Sequence, residues 1–323
     1  MGFRRLDIDY QEITCCPLCG QDGAERSVLR RPSYYFARFE IPLPRTGVAL
    51  LECPHCSLLF KSATPTAQSC DAVMLNGATD VWRPKTGEHP ALPMMRPYME
   101  GAESFLDIGA SNGDLLAQIG ARRLSAMDIV QYAPCKAVID GRGEYIIGQL
   151  EKGVTWSNQP YDVVTAFDVF EHFLDADSAV SNVLAFVRSG GYLVIETGDW
   201  RTVPDPGSWY YTNLFEHQIF WTRRTFEYLQ ERFPLAITQY SLVNHKGRRA
   251  MGLAKRIALS AIVRLAPNPL FRKAMLNAGR DPGHFGAPGL VDHAFVVLKR
   301  LEAGSEAIQG RTAMAAAVAT GDL

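Results

Sequence analysis

The sequence predicts an α/β protein whose main domain is a doubly wound, mostly parallel sheet of seven strands. In residues 100–245, short β-branched or aromatic runs alternate with stretches of helical pattern. That alternation is typical of a parallel sheet with helices on both faces. A small N-terminal module is also predicted, because five of the seven cysteines fall in the first 56 residues. The chain therefore combines a large sheet domain with a cysteine-rich module.

Composition limits the class of protein. Of the 323 residues, 47% are hydrophobic and 21% are charged, and the formal net charge is −1. Such a chain can build a sizeable core. Its near-neutral charge argues against a protein that coats nucleic acid over its whole surface. No apolar run approaches the ~18 residues of a membrane-spanning helix, and the first residues lack the apolar stretch of a secretory signal.

The cysteines predict a reducing compartment. Their number is odd and they are clustered, whereas a secreted disulfide framework would spread and pair them. We therefore expect a cytoplasmic protein, with peripheral attachment to the inner membrane face as an open alternative.

Four regions follow one another along the chain. Residues 1–62 form the cysteine-rich module, and residues 63–99 form a linker that wraps over the next domain. Because five prolines fall in this linker, no clear helix is expected there. Residues 100–302 form the sheet domain with a basic helical insertion at 246–288, and residues 303–323 form a flexible tail.

The hydrophobic pattern places the elements of the sheet domain. Seven runs predict strands: Ser104–Ile108, Leu124–Ile129, Tyr145–Ile147, Tyr161–Phe167, Tyr192–Thr197, Ala236–Asn244 and His293–Lys299. Four stretches predict helices: Asp114–Ile119, Gln131–Ile139, Asp177–Val187 and Phe226–Phe233.

Two C-x-x-C knuckles predict a structural metal site. Cys16 and Cys19 form the first knuckle, and Cys53 and Cys56 form the second. Four thiolates at this spacing complete a tetrahedral zinc site, so we expect a zinc ribbon that binds structural Zn²⁺. Buried or redox-active cysteines are the alternative, and Cys15 is a candidate substitute ligand. The two other cysteines, at positions 70 and 135, are expected to be ordinary small apolar residues.

A glycine-rich turn predicts a nucleotide-type ligand at the end of the first strand. Asp107 ends this strand, and Gly109 and Gly113 allow a tight turn with close approach of a ligand to the backbone. Asp128 closes the next strand, where a carboxylate can accept both hydroxyls of a ribose. A dinucleotide would also suit the pattern, but Asp107 and Asp114 would repel its pyrophosphate. A purely structural strand–turn–helix is the other alternative.

Four motifs in order resemble a class I methyltransferase that uses S-adenosylmethionine (SAM). The segment SFLDIGASNGDLL matches the family's acid-x-Gly-x-Gly-x-Gly turn, with Ser111 in place of the middle glycine. Asp128 matches the acid after the second strand. Residues 161–172 resemble the fourth strand with its following Glu-His pair, and residues 189–197 resemble the Gly-Gly turn and fifth strand. The resemblance implies a Rossmann-like fold.

The resemblance also implies residue roles in SAM binding. It places the methionine end of SAM at Asp107 and Gly109 and the ribose at Asp128, and Gly113 of the same turn also belongs to the implied cofactor site. Adenine would pack on Ile129 and hydrogen-bond Gln149, which stands where the family usually has Asp. Phe167 and Asp168 would lie near the sulfonium. The reaction itself requires no catalytic metal or covalent nucleophile, because the protein need only align the acceptor, exclude water and remove a proton.

The segment around Glu216 and His217 resembles bacterial sugar methyltransferases that also carry an N-terminal zinc-binding domain. There the equivalent His is given a general-base role, which predicts His217 as the base, with Glu216 and Tyr211 as the other candidate catalytic residues. The group's tyrosine three residues earlier is Leu214 here, so Tyr211 or Tyr210 would replace it. A structural role for His217 is the alternative. Glu171 and His172 are a second pair, for which a structural role is favoured.

Residues 246–280 hold nine Lys or Arg and no Asp or Glu, with apolar residues between them. This pattern suits an amphipathic helix on an anionic membrane. A polyphosphate or RNA partner, or a solvated helix without a partner, also fits.

The sequence thus predicts SAM-dependent methyl transfer to a small-molecule acceptor, a sugar or glycan precursor, with a lipid-linked glycan included. An RNA methyltransferase is the main alternative, although nucleic acid is less favoured because no base pocket of the Asn-Pro-Pro-Tyr type is present. A non-catalytic SAM-binding or zinc scaffold is the third. The methylated atom, whether oxygen, nitrogen or carbon, is left open.

Overall fold

A computed structural model describes residues 4–29, 32–81, 87–157, 159–243 and 291–302. The predicted basic insertion, residues 246–288, and the predicted tail, residues 303–323, lie outside the described residues.

The elements are as follows. The strands are β1 (Arg4–Arg5), β2 (Tyr10–Glu12), β3 (Ala24–Val28), β4 (Ser33–Phe36), β5 (Phe39–Pro42), β6 (Ala49–Glu52), β7 (Leu59–Lys61), β8 (Ala63–Pro65), β9 (Ser104–Ile108), β10 (Arg123–Asp128), β11 (Tyr145–Ile147), β12 (Tyr161–Phe167), β13 (Val187–Gly198), β14 (Ile219–Phe220), β15 (Leu235–Val243) and β16 (His293–Arg300). The α-helices are α1 (Ala67–Val81), α2 (Leu92–Met99), α3 (Ala133–Ile139), α4 (Ala176–Phe186) and α5 (Arg223–Arg232).

The main sheet has seven strands in the order β11-β10-β9-β12-β13-β16-β15. The first five are parallel, and β16 runs antiparallel to both β13 and β15. The predicted mostly parallel, seven-stranded sheet is therefore confirmed. In the register of the central strands, Ile108 of β9 pairs with Met127 of β10 and Ala166 of β12. The carboxyl ends of these three strands consequently meet at one edge.

Helices cover both faces of this sheet, as the doubly wound prediction requires. One face buries Val164 of β12 against Val180 of α4 and Leu229 of α5. The opposite face buries its side chains against Met95 of α2 and Cys135 of α3. Alternate residues along each parallel strand thus enter two separate cores.

The N-terminal module shares a sheet with the domain that follows it. Strands β3, β6 and β7 form an antiparallel meander, and β14 from the larger domain adds to its edge. Ile219 pairs with Phe60, and Phe220 pairs with Leu59. The predicted module boundary at residue 62 therefore does not separate two independent sheets, because β7 before it is hydrogen-bonded to β14 after it.

The expectation of a helix-free linker at 63–99 is wrong, because the segment holds α1 and α2. No proline falls within α1, and Val73 and Met74 are buried against the N-terminal module. In α2, Pro93 occupies the first turn, where its missing N–H costs nothing. Pro97 lies inside the helix, which ends two residues later.

The helix predicted at Asp114–Ile119 is also wrong in type. Only a 3₁₀ turn, Leu116–Gln118, forms there. Gly113 and Gly120 flank this stretch, so too few residues lie between them for a stable α-helix. Within the described part of the chain, no helix is long and apolar enough to cross a membrane.

Candidate active site

A cavity of about 720 Å³ opens at the carboxyl edge of β9, β10 and β12. Its walls come from several parts of the chain: the glycine-rich turn, the end of β10, the loops after β11 and β12, helix α1, His89 and the segment before β14. The lining side chains include Cys70, Asp71, Met74, His89, Asp107, Asp114, Asp128, Gln149, Asp168, His172, Phe173 and Glu216.

The turn after β9 requires its glycines. Gly109 has φ +71°, and a Cβ there would lie 2.5 Å from the side chain of Val169. Gly113 has φ +78°, and a Cβ there would lie 2.9 Å from the backbone of Cys135. Ser111, at the family's middle glycine position, adopts φ +47°, a strained conformation for a residue with a side chain. The backbone of this turn therefore lines the cavity, where a ligand can approach it closely.

Two carboxylates flank the turn. Asp107 is 6% exposed and accepts a hydrogen bond of 2.6 Å from the Thr165 hydroxyl. Burial raises the pKa of Asp107 to about 7. Asp128 accepts hydrogen bonds from the backbone N–H groups of Ser111, at 2.8 Å, and Ile129, at 2.7 Å. These bonds fix the Asp128 carboxylate at the mouth of the turn.

Helix α1 forms the cavity wall beside Gln149. The Gln149 side-chain amide donates a hydrogen bond of 2.5 Å to Asp71, which also pairs with Lys152 at 2.8 Å. With its nitrogen held by Asp71, the amide has its oxygen available as an acceptor. Asp71 was missed by sequence reasoning because the segment was expected to be a linker.

Phe167 and Asp168 end strand β12 at the cavity. Asp168 has φ +52°, which turns the chain sharply and brings its carboxylate into the lining. Such left-handed residues other than glycine are uncommon and cluster at functional sites. The Phe167 ring stacks on His89, with ring centroids 5.6 Å apart.

Glu216, from the segment before β14, also lines the cavity. It is 9% exposed, and its Oε2 has no hydrogen-bond partner in the described part of the chain. Burial raises the pKa of Glu216 to about 7, although Lys61 opposes this effect. Lys61 is itself buried in β7, donates to the Leu214 carbonyl at 2.9 Å and lies 4.2 Å over the Tyr34 ring. The N-terminal module thus places a basic group behind Glu216.

His217 and Tyr211 lie behind the cavity wall instead of lining it. His217 Nδ1 is 3.1 Å from the Tyr211 carbonyl, and burial holds the pKa of His217 well below its usual value. The Tyr211 hydroxyl donates to Glu171, which also accepts from Thr197 at 2.7 Å. His172 lines the cavity next to this group. Of the three predicted catalytic residues, Glu216 alone is among the residues that line this cavity.

The four knuckle cysteines come together as predicted. Cys16 Sγ is 3.6 Å from Cys56 Sγ, and Cys19 Sγ is 3.3 Å from Cys53 Sγ. All four ligand atoms lie within 4.8 Å of one another. Cys15 is outside the cluster and contacts Asp22.

The cluster is also anchored to the large domain. The Pro17 carbonyl accepts from Asp177 N–H, and the Leu18 carbonyl accepts from Arg232. The first knuckle therefore contacts both α4 and α5. Of the other cysteines, Cys135 is buried as expected, whereas Cys70 lines the cavity.

Comparison with known proteins identifies the larger domain. Residues 85–240 match a family model described as a methyltransferase domain. This part of the chain is a methyltransferase domain. The protein is accordingly an enzyme, a SAM-dependent methyltransferase. No curated protein is significantly similar to the chain.

Among solved structures, similar folds include three methyltransferases of low sequence identity. A SAM-dependent methyltransferase from Thiobacillus denitrificans bound to S-adenosylhomocysteine is 14% identical, over 70% of this chain and 95% of that one, with a TM-score of 0.45. The N-methyltransferase NodS from Bradyrhizobium japonicum is 11% identical, over 66% and 86%, with a TM-score of 0.42. The StiE O-methyltransferase domain is 16% identical, over 69% and 76%, with a TM-score of 0.43.

Proposed function

We propose that the enzyme transfers the methyl group of SAM to a small-molecule acceptor, a sugar or glycan precursor. The observation that carries this proposal is the continuity of the cavity. Asp107 and Asp128 line the same cavity as Glu216, whose Oε2 has no hydrogen-bond partner in the described part of the chain. A methyl donor bound at Asp107 and Asp128 would share the cavity with an acceptor hydroxyl at Glu216, and we call these two parts of the cavity the cofactor end and the acceptor end.

The cofactor end supplies a separate contact for each part of SAM. The methionine moiety would lie on the turn, against Asp107 and the backbone of Gly109 and Gly113. Asp128 would accept hydrogen bonds from the ribose hydroxyls, since each carboxylate oxygen can accept more than one hydrogen bond. Ile129 would pack on adenine. Because Asp71 accepts a hydrogen bond from the Gln149 amide nitrogen, the amide oxygen is available. This oxygen would accept a hydrogen bond from the adenine amino group.

Glu216 is the group we assign as the proton acceptor. Methyl transfer is an in-line displacement, so the protein must align the acceptor and take its proton. A carboxylate whose pKa lies near 7 can accept a proton at neutral pH. This assignment moves the base from His217 to its neighbour, because His217 stands outside the cavity lining. Phe167 and Asp168 would lie between donor and acceptor, beside the sulfonium.

The cysteine cluster is proposed to bind one structural Zn²⁺ through Cys16, Cys19, Cys53 and Cys56. In a tetrahedral site with Zn–S bonds of ~2.3 Å, the sulfurs lie about 3.8 Å apart. The observed separations of 3.3, 3.6 and 3.8 Å match that size. The site has no open position toward the cavity, so the ion would stabilise the module instead of the reaction.

Labelled methyl transfer tests the proposed activity. The protein is incubated with methyl-labelled SAM and extract separated into small sugars and nucleotide sugars, lipid-linked glycans, and RNA. We expect label in a sugar fraction or in the lipid-linked glycans, and its loss with Glu216→Gln. Label in RNA alone would contradict a sugar or glycan acceptor. The absence of label from every fraction would contradict the acceptor proposal as a whole.

A lipid-linked acceptor would bring the enzyme to a membrane, and residues 246–280 are suited to that role. Each basic residue near an anionic surface contributes about 1 kcal/mol, and the segment holds nine of them without an acidic residue. We expect co-sedimentation with anionic liposomes that weakens with salt. It should disappear when Arg248, Arg249, Lys255 and Arg256 become Gln. Equal recovery with neutral liposomes would contradict it.

A further inference from the structure

Three side chains that could each bind a metal converge where His172 lines the cavity. Glu171 and His172 lie in the 3₁₀ turn after β12, and His217 lies before β14. The Nε2 atoms of His172 and His217 are each 3.8 Å from Glu171 Oε1. The three ligand atoms lie within 4.8 Å of one another. Glu171 and His217 are buried, and His172 reaches the cavity.

Hydrogen bonds hold each of the three side chains of this cluster in place. His217 Nδ1 lies 3.1 Å from the Tyr211 carbonyl, which can only accept. Nδ1 therefore carries the ring proton, and Nε2 directs its lone pair toward Glu171. Glu171 Oε2 is held by Thr197 and Oε1 by Tyr211. The His172 ring is held by the backbone of Asp168. Outer hydrogen bonds of this kind are the ones that orient metal ligands.

We propose that Glu171, His172 and His217 form a second metal site, which binds a divalent transition-metal cation such as Zn²⁺ or Co²⁺. Two imidazoles and one carboxylate favour these ions over Mg²⁺. A tetrahedral site with bonds of ~2.0–2.1 Å places its ligands about 3.4 Å apart. The two 3.8 Å contacts to Glu171 would close by only a few tenths of an ångström, and the two imidazole nitrogens lie within 4.8 Å of each other.

The charges around the cluster suit a divalent ion. The neighbouring Asp168 acts electrostatically on both Glu171 and His172, in the sense that favours a cation between them. In a buried setting, a cation also relieves the repulsion between the lone pairs of Glu171 Oε1 and His217 Nε2. Because His172 lines the cavity, the remaining coordination position would be directed toward an acceptor oxygen or a water. Binding of the ion does not depend on the identity of the acceptor.

Cobalt substitution distinguishes the two proposed sites. The protein is stripped of metal, reloaded with Co²⁺, and its bound cobalt is counted per chain. We expect two ions, one with the strong thiolate charge-transfer absorption of a Cys₄ site and one without it. Glu171→Gln and His217→Ala should each retain one ion, with thiolate absorption only. His89→Ala, which changes another cavity histidine outside the cluster, should retain two.

Binding of S-adenosylhomocysteine by calorimetry shows which variants are folded. A variant that binds it like the unchanged protein and has lost one cobalt supports the site. A single cobalt in the unchanged protein, with thiolate absorption, would overturn the proposal, as would two ions retained by folded Glu171→Gln. Neither result depends on methyl transfer, so failure of this proposal is separable from failure of the proposed function.

Discussion

The two ends of the cavity are built in different ways. The cofactor end comes mainly from one stretch, residues 104–149, whose side chains follow successive parallel strands, and α1 adds Asp71 beside Gln149. The acceptor end combines Lys61 of the N-terminal module, the turn at Glu171 and His172, and the segment at Tyr211–His217. Local sequence thus determines the first end, whereas the second depends on packing between distant segments. Changes at the two ends should accordingly affect different steps.

The largest effect is expected from loss of the cysteine cluster. Structural zinc contributes on the order of 10–16 kcal/mol in small metal-dependent modules, so the double variant Cys53→Ser/Cys56→Ser should unfold β6 and β7. Turnover should fall to background, because β7 supports β14 and the Glu216 segment. SAM binding should weaken far less. Amide hydrogen exchange, turnover and calorimetry measure the three effects.

Cys15→Ser is the matched control, since Cys15 is exposed and lies outside the cluster. It should leave exchange and turnover unchanged. Full turnover by the metal-free double variant would contradict the dependence of the acceptor end on the module.

Glu216→Gln should lower turnover by roughly 10²- to 10⁴-fold, the usual contribution of a general base. The affinity for SAM should not change, because the cofactor end is left intact. Single-turnover kinetics and calorimetry measure the two quantities. Glu227→Gln, which changes an acid paired with Arg223 on α5, should alter neither.

The pH profile sharpens this assignment. Glu216 accepts a proton only when ionised, and its pKa is raised to about 7. The turnover of the unchanged enzyme should therefore fall as the pH drops through about 7. Glu216→Gln should lose that step, and a step that persists in this variant would assign the base elsewhere.

Asp128→Ala should act at the opposite end. A hydrogen bond to a charged group contributes roughly 1.5–3 kcal/mol, so loss of the ribose contacts should weaken SAM binding about tenfold or more. Turnover at saturating SAM should be close to that of the unchanged enzyme. Asp140→Ala, at the exposed end of α3, is the control. An unchanged dissociation constant would refute the ribose assignment.

The smallest effect is expected at Asp71. Its hydrogen bond orients the Gln149 amide, and a net contribution of about 0.5–1.5 kcal/mol corresponds to a loss in SAM affinity of roughly two- to tenfold. If Asp71 acts through Gln149, the double variant Asp71→Ala/Gln149→Ala should bind no more weakly than Gln149→Ala alone. Additive losses would indicate that Asp71 contacts the cofactor independently.

Sequence pattern predicted the sheet well and the acceptor end only in part. Strands β9, β11 and β12 have their predicted bounds, because short runs between turns leave little freedom for them. The convergence of the four cysteines follows from their spacing. The pairing of β14 with β7 has no local signal, since it joins two short strands far apart in the chain. The role of Lys61 and the burial of His217 depend on that pairing, so neither could be predicted.

The strand pair β7–β14 also constrains how this enzyme can diversify. A typical fused module can be exchanged by recombination at the linker, because few contacts cross the boundary. Here, exchange of residues 1–62 alone would remove the hydrogen-bonding partner of Ile219 and Phe220 and the buried amine beside Glu216. A change of acceptor would therefore require residues 1–62 and the segment that contains β14 to be exchanged together. Chimeras between relatives should consequently fold and function best when both segments come from one parent.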